Sequence, residues 1–407
     1  MNNPFVLLAG IMLLSLQCVA LEMADEGWPK EGNDQQARCI STKGEYNPCM
    51  PDVQQIWKNE DYMDVGLWGS PVIVGNNIYL PTDDAERDLA CHKLSDGSLS
   101  WGADLHDWAN GIPVVAEDGT VFVGDYTGFV YRISSSGSII WETKLPNRMA
   151  MNGMVLMSNR VFCMFGNTRE DPKDIGGIAC LNAENGTNIW TWRYSRIVAW
   201  AGGAPPLSPD GSLLYVHSDR TEVAGINTKT GTLEWRYYRP GGQEGHPELQ
   251  PIVDSQGNIY QGFAGNPFGV GDGNTENDTI VKINRSTGLL WAAGFEDLDF
   301  ETLWAKDVWD TGGYALSADE TVIYTATRGD QTGGGVHAYD TSNGKQNWAV
   351  WEDPVDTNNW MHDTFSGVGN INGGIAVGPN RMIYGVASGV MPSVSVTSAV
   401  IFPRSGL

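Results

Sequence analysis

Short apolar runs alternate with polar turns along this chain, and the same order of elements returns seven times. The opening runs are residues 71–74, 113–116, 154–157, 205–207, 251–253, 314–316 and 375–377. Polar turns such as Glu117-Asp118-Gly119 and Asp254-Ser255-Gln256-Gly257 follow, with the Asx-turn and positive-φ chemistry that hairpins require. A second run carries an aromatic at a repeated place: Tyr79, Phe122, Phe162, Tyr215, Tyr260, Tyr324 and Tyr384. A third run enters a glycine turn, and a fourth carries a tryptophan. The pairs are Gly97…Trp101, Gly137…Trp141, Gly186…Trp190, Gly231…Trp235, Gly288…Trp291 and Gly344…Trp348. The step from glycine to tryptophan is four residues in five pairs and three at Gly288. Runs this short, rich in β-branched and aromatic residues, predict strands; no sustained 3.6-residue period follows the first twenty residues, so almost no helix is expected.

Trp-to-Trp intervals run from 40 residues (Trp101 to Trp141) to 57 (Trp291 to Trp348), which suits propeller blades. A lone four-stranded sheet cannot bury both faces, whereas sheets stacked radially pack the aromatic rings of one against the next. The expected fold is all-β, a seven-bladed β-propeller of four-stranded antiparallel blades. Ser405-Gly406-Leu407 stops short of a tryptophan, and Trp57 has no glycine turn before it. The segment around Gln55-Ile56-Trp57-Lys58 is therefore expected to pair with the C-terminal strands near Val396 to Phe402, closing the ring and removing exposed edges. The alternative is a truncated chain whose eighth blade is missing.

Three segments are expected: a signal peptide over 1–20, an N-terminal extension over 21–53 and the propeller over 54–407. The first twenty residues are uncharged, apolar from Phe5 to Leu16, with small residues at Cys18 and Ala20. That pattern suits cleavage after Ala20 and a secreted or luminal protein, periplasmic in a bacterium. Cleavage before Cys18 as a lipoprotein would place Gln17 where a small residue is required. No apolar stretch is long enough to span a bilayer. With 25 Lys and Arg against 49 Asp and Glu, the net charge of −24 argues against nucleic acid and anionic membranes as partners.

Of the cysteines, Cys39 and Cys49 flank a short loop and are expected to bridge in an oxidising compartment. Cys163 and Cys180 fall on neighbouring strands of one blade, where a cross-strand bridge is also expected, leaving Cys91 free. No Cys-x-x-Cys pair supports a zinc site. Sequons at Asn185, Asn277 and Asn284 mark glycosylation candidates, of which Asn185 and Asn284 fall at glycine turns.

The hairpin Gly225-Ile226-Asn227-Thr228-Lys229-Thr230-Gly231-Thr232-Leu233-Glu234-Trp235 resembles the repeat of the pyrroloquinoline-quinone (PQQ) propellers. Similar versions occur at 180–190 and 338–348, and the resemblance covers roughly residues 54 to 407. It implies a propeller; the family holds both quinoprotein dehydrogenases, with PQQ and calcium at the propeller centre, and non-catalytic assembly or scaffold propellers. The adjacent cysteine pair of the dehydrogenases is absent, since no Cys-Cys dipeptide occurs. The expected role is a non-catalytic binding or scaffold protein, for a protein partner or a small polar ligand such as a carbohydrate. The alternative is a PQQ- and calcium-dependent oxidoreductase acting on alcohols or sugars.

Loops that enter successive blades converge on the propeller axis, so residues distant in sequence meet there. Trp68, Trp108, Trp200 and Trp309, with Asp107, Asp310, His246 and Glu248, are expected to line such a mouth, where indole rings stack on a sugar or planar ligand. The competing reading is that the rings plug the channel. The loop Asp272, Asn274, Glu276 and Asp278 alternates oxygen ligands as a calcium loop does, without the central glycine of an EF-hand. Asp107, Glu301, Asp307 and Asp310 have no fixed separation that would suit glycoside chemistry, and no histidine constellation or phosphate loop is present.

Overall fold

The period-two runs form antiparallel strands because each buries one set of side chains and turns back at a glycine or Asx turn. The computed structural model describes residues 20–24, 35, 57, 71–82, 87–109, 111–146, 153–166, 176–194, 204–218, 222–238, 251–263, 279–286, 288–293, 308–329, 335–351, 375–377, 383–391 and 394–402. No helix occurs among them.

The first sheet holds β1 (Val72–Val74), β2 (Asn77–Pro81), β3 (Leu89–Lys93) and β4 (Leu99–Ala103). The second holds β5 (Val114–Val115), β6 (Val121–Gly124), β7 (Phe129–Ile133) and β8 (Ile139–Lys144). The third holds β9 (Met154–Met157), β10 (Arg160–Phe165), β11 (Gly176–Asn182) and β12 (Asn188–Tyr194). The fourth has β13 (Leu213–Ser218), β14 (Glu222–Asn227) and β15 (Leu233–Tyr238). The fifth holds β16 (Ile252–Val253), β17 (Asn258–Phe263), β18 (Thr279–Asn284) and β19 (Gly288–Ala293). The sixth holds β20 (Val308–Leu316), β21 (Val322–Gly329), β22 (Gly335–Asp340) and β23 (Gln346–Trp351). A seventh has β24 (Ile375–Val377), β25 (Ile383–Met391) and β26 (Val394–Phe402). Strand order follows chain order in every sheet. In the fourth sheet the opening run reduces to one bridge, Leu207 with Leu214, because Pro205 and Pro206 bring no N–H to a ladder.

The sheets stack face to face, with a buried cluster at each junction from the first sheet to the fifth. Register slips by one residue just after the tryptophan's partner on the third strand in six sheets, for example between Arg132 and Ile133 and between Cys180 and Leu181. Where the side chains are described, this bulge turns the indole toward the next sheet, beside the second-strand aromatic of its own sheet. Ring centroids lie 6.0 Å apart for Tyr79 and Trp101, 5.8 Å for Phe122 and Trp141, and 5.8 Å for Phe162 and Trp190.

Each indole then reaches the hairpin of the following sheet. Nε1 of Trp101 donates to Ser135 O at 2.9 Å, that of Trp141 to Ala183 O at 3.0 Å and that of Trp190 to Thr228 O at 3.1 Å. The rings lie on Gly137, Gly186 and Gly231, where φ is +89°, +73° and +71° and an added Cβ would come within 3.0, 2.8 and 2.6 Å of the ring. Both the backbone conformation and the lack of space demand glycine. Trp57 does the same to the first sheet: Nε1 donates to Leu94 O at 2.8 Å, and its ring covers Gly97.

First strands of successive sheets touch, β1 with β5, β5 with β9 and β20 with β24, so they lie innermost. Residues Leu21–Ala24 and Gln35 lie against this inner region. Met23 bridges Ala116 antiparallel, Ala24 N donates to Val115 O at 2.9 Å, and Glu117 N donates to Glu22 O at 3.0 Å. Leu21 exchanges bonds with Asn159, and Ser158 N donates to Glu22 Oε1 at 3.0 Å. Farther on, Gln35 Nε2 donates to Leu156 O at 3.0 Å, while Gln35 O accepts from Leu207 N at 2.8 Å.

The expected Cys163–Cys180 bridge is not formed, and both thiols are free and buried. Cys163 lies opposite Ala179 and Cys180 opposite Phe162, so their side chains leave opposite faces of the sheet. Cys163 joins the cluster facing the second sheet and Cys180 the one facing the fourth. Cys91 is also free and buried, and burial raises its thiol to about 11. Cys39 and Cys49 lie outside the described residues.

Candidate functional site

Connections from fourth to first strands and from second to third strands share one end of the sheets, which makes it the natural mouth. There the β4–β5 connection carries Asp107 and Trp108. Asp107 Oδ1 accepts the Trp108 N–H at 2.9 Å, fixing the turn, and Trp108 O accepts from Tyr126 N at 3.1 Å. The Trp108 indole rests on Tyr126 with ring centroids 5.0 Å apart and remains half-buried. Aromatic contact of this kind holds one face of the ring and leaves surface for a second planar or sugar ligand.

Behind this pair stand buried carboxylates. Asp125 has no exposed surface. It accepts from Phe129 N at 2.8 Å, Thr127 Oγ1 at 2.9 Å and the Tyr131 hydroxyl at 2.6 Å. Tyr131 in turn accepts from His106 N at 3.1 Å. Asp88 accepts from Leu105 N at 2.7 Å, and its carboxyl is pushed up to about 6. Burial is the main cause; the Leu105 bond opposes it, and Asp104, Asp107 and Asp125 add negative charge nearby. His106 lies on Phe129 at 4.4 Å and meets Glu142 at 3.2 Å, both groups being well exposed. The arrangement offers ring faces and acceptors. It suits hydroxyls, amides and cations, and disfavours phosphates.

Of the residues expected at the mouth, Asp107 and Trp108 are there together. Trp309 and Asp310 belong to β20, with side chains outside the described set, and Trp68, Trp200, His246 and Glu248 lie outside it altogether. The same holds for the proposed calcium ligands Asp272, Asn274, Glu276 and Asp278, and for Asn277. Among the described residues no His, Cys, Asp and Glu side chains form a group able to hold a metal ion. Tyr126, Asp88 and Tyr131 were not singled out by sequence; the Asp125-Tyr126 pair closing the β6 run was the available signal. Among the sequons, Asn185 is exposed, its Oδ1 accepting from Thr187 N at 3.0 Å. Asn284 is half-buried and commits its Nδ2 to Asn258 Oδ1 at 2.9 Å.

The family model described as outer membrane protein assembly factor BamB matches residues 54–169 and 85–348. No curated protein matches the sequence. Among solved structures, a quinohemoprotein alcohol dehydrogenase from Pseudomonas putida is similar at TM-score 0.65 and 14% identity, over 89% of this chain and 69% of that one. A europium-containing methanol dehydrogenase is similar at TM-score 0.61 and 10% identity, over 93% and 86%. BamB from Moraxella catarrhalis is similar at TM-score 0.53 and 16% identity, over 86% and 87%. At these identities the likeness concerns the fold alone. No helix among the described residues is long and apolar enough to cross a membrane.

Proposed function

The chain belongs to the PQQ-like repeat propeller family through the BamB model that spans most of it, and from that premise we propose a non-catalytic binding propeller of a secretory or periplasmic compartment. The ring is seven blades, with the strand around Trp57 completing the three-stranded seventh sheet. Supporting this, Trp57 holds the first sheet as Trp101, Trp141 and Trp190 hold the second, third and fourth. The mouth around Trp108, Tyr126 and Asp107 receives a protein segment or a small polar ligand.

The observation that carries the non-catalytic reading is the seating of Leu21–Ala24 and Gln35 along the innermost strands. The dehydrogenases of this fold family imply PQQ and calcium at the centre. Here the inner edges of the second and third sheets and Leu207 of the fourth are taken by the chain itself. This pairing of the chain with its own innermost strands favours a scaffold over a cofactor pocket.

Titration with PQQ and calcium tests the reading, followed by intrinsic tryptophan fluorescence and dye-linked oxidation of alcohols and sugars. No saturable quenching and no turnover are expected. Stoichiometric binding with turnover would instead establish the oxidoreductase.

A further inference from the structure

The turn between β9 and β10 consists of Ser158 and Asn159, both in the left-handed region at φ +49° and +61°. A hairpin turn of this length demands positive φ twice and favours asparagine. It grips the chain at Leu21. Asn159 N donates to Leu21 O at 3.0 Å, and Leu21 N donates to Asn159 Oδ1. Ser158 N and Oγ donate to Glu22 Oε1 at 3.0 and 3.1 Å. Leu21 and Met23 pack on the cluster between the second and third sheets, and Ala24 is buried.

The Asn159 amide is oriented by a neighbour. Glu184, in the β11–β12 hairpin, accepts from Asn159 Nδ2 at 3.4 Å. A carboxylate only accepts, so the amide turns its NH2 to Glu184 and presents its oxygen to Leu21 N. The adjoining turns carry a surplus of acid. Glu22 and Glu184 touch Ser158 and Asn159, and Glu117 N holds Glu22 O at 3.0 Å. Arg132 is paired with Asp118 at 2.8 Å, and Arg160 gives its guanidinium to Thr228 O at 3.3 Å.

The gripped nitrogen is also where the sequence places the end of a leader. Residues 1–20 carry no charge, are apolar from Phe5 to Leu16 and end in small residues at Cys18 and Ala20. A leader peptidase cuts after such a pattern. Hydrolysis breaks the Ala20–Leu21 amide: the oxygen of water goes to the Ala20 carbonyl carbon, leaving a carboxylate. The Leu21 nitrogen departs as an amine and is protonated at neutral pH. One amide N–H thereby becomes an ammonium with three donors, facing an oriented acceptor among carboxylates. Charge-assisted bonds of this kind are shorter and stronger than neutral ones.

We infer that Asn159, positioned by Glu184, is the seat of the Leu21 α-ammonium created by cleavage after Ala20, so that processing locks the first strand onto the inner sheets. The inference rests on the secretory reading proposed above. Sequencing of full-length chain secreted from a host cell should give Leu21 as the first residue. A retained Met1 would overturn the secretory reading too; a start elsewhere would overturn the seat alone.

Protein beginning at Leu21, released from a cleavable N-terminal fusion, tests the seat itself. Its α-amine is acylated with acetic anhydride across a pH series and read from the mass of the N-terminal peptide. Acylation at pH 7 should be about tenfold slower than in Asn159→Gly, with its half-maximal rate reached at higher pH. Glycine keeps the left-handed turn while removing the acceptor. Glu184→Gln should fall between the two. Two residues added before Leu21 should lower the thermal midpoint by about 2 °C in the parent and leave Asn159→Gly unmoved. Equal acylation profiles in parent and Asn159→Gly, or a parent midpoint indifferent to the added residues, would overturn the seat.

Discussion

The second and third sheets meet across a sealed junction, whereas the fourth and fifth meet across an open one. At the sealed junction Trp141 bonds Ala183 O and covers Gly186, while Thr143 Oγ1 donates to Gly186 O at 2.8 Å. Arg132 closes the rim, with Asp118 at 2.8 Å and Ala183 O at 3.3 Å. At the open junction Trp235 packs edge-on against Tyr215 at 6.2 Å, and Arg285 spans the gap to Asp210. The shortened hairpin coincides with a cleft of about 330 Å³ at this junction, lined by Asp210, Gln256, Gly257 and Arg285 among others. A repeated scaffold can therefore place a cavity at one junction while its neighbours stay packed, through changes in a single turn.

The largest effect is expected from removing an indole at a sealed junction. Trp141→Ala and Trp57→Ala should each cost roughly 3 kcal/mol or more, read from urea midpoints, because a large ring and its bond are lost together. Equal losses would place Trp57 in the same structural role as Trp141. A Trp57→Ala loss below about 1 kcal/mol, within the range of an ordinary surface change, would break the equivalence.

A sharper contrast comes from two glycines that share a left-handed backbone and differ in space. At Gly186 an added Cβ would come within 2.6 Å of Thr143 Oγ1, while at Gly257, on the cleft wall, it would meet Pro209 at 3.6 Å. Backbone strain of about 1–3 kcal/mol applies to both. Gly186→Ala should therefore destabilise by roughly 2 kcal/mol more than Gly257→Ala, since overpacking adds to strain only there. Similar thermal shifts for the two variants would mean that the junctions are equally packed.

The smallest effect is pH-dependent and lies at the mouth. Asp88 holds its proton more tightly when folded, up to about 6, than when unfolded. Its contribution is complete below the ordinary carboxyl range near 4 and is lost as pH rises through about 6. Asp88→Asn keeps an acceptor for Leu105 N and should flatten stability between those values. A variant whose midpoint follows the parent across that interval would show that Asp88 is not the group responsible.

The repeat was legible because geometry demands both glycine and tryptophan at four successive places: a positive φ at Gly97, Gly137, Gly186 and Gly231, and an indole above each. The cysteine pair was misread because adjacency of strands does not give the face. Only the register of Cys163 with Ala179 does, and a single step reverses it. Trp108 was legible as an aromatic entering a blade, but Tyr126, which meets it, and Asp88, which holds Leu105 of the same connection, come from other loops. The extension gave no strand signal, since four residues from Leu21 to Ala24 are too few to show a period. The short step at Gly288 was visible in the sequence, yet its consequence depends on where Arg285 and Tyr215 point.

Exchange of the indole Nε1 protons, followed by NMR on tryptophan-labelled protein, tests the role given to Trp57 most directly. The indoles of Trp57, Trp141 and Trp190 should exchange slowly and together, released by opening of their junctions, while that of Trp235 exchanges faster. Exchange of Trp57 at the rate of Trp235, with Trp141 and Trp190 still protected, would contradict the account.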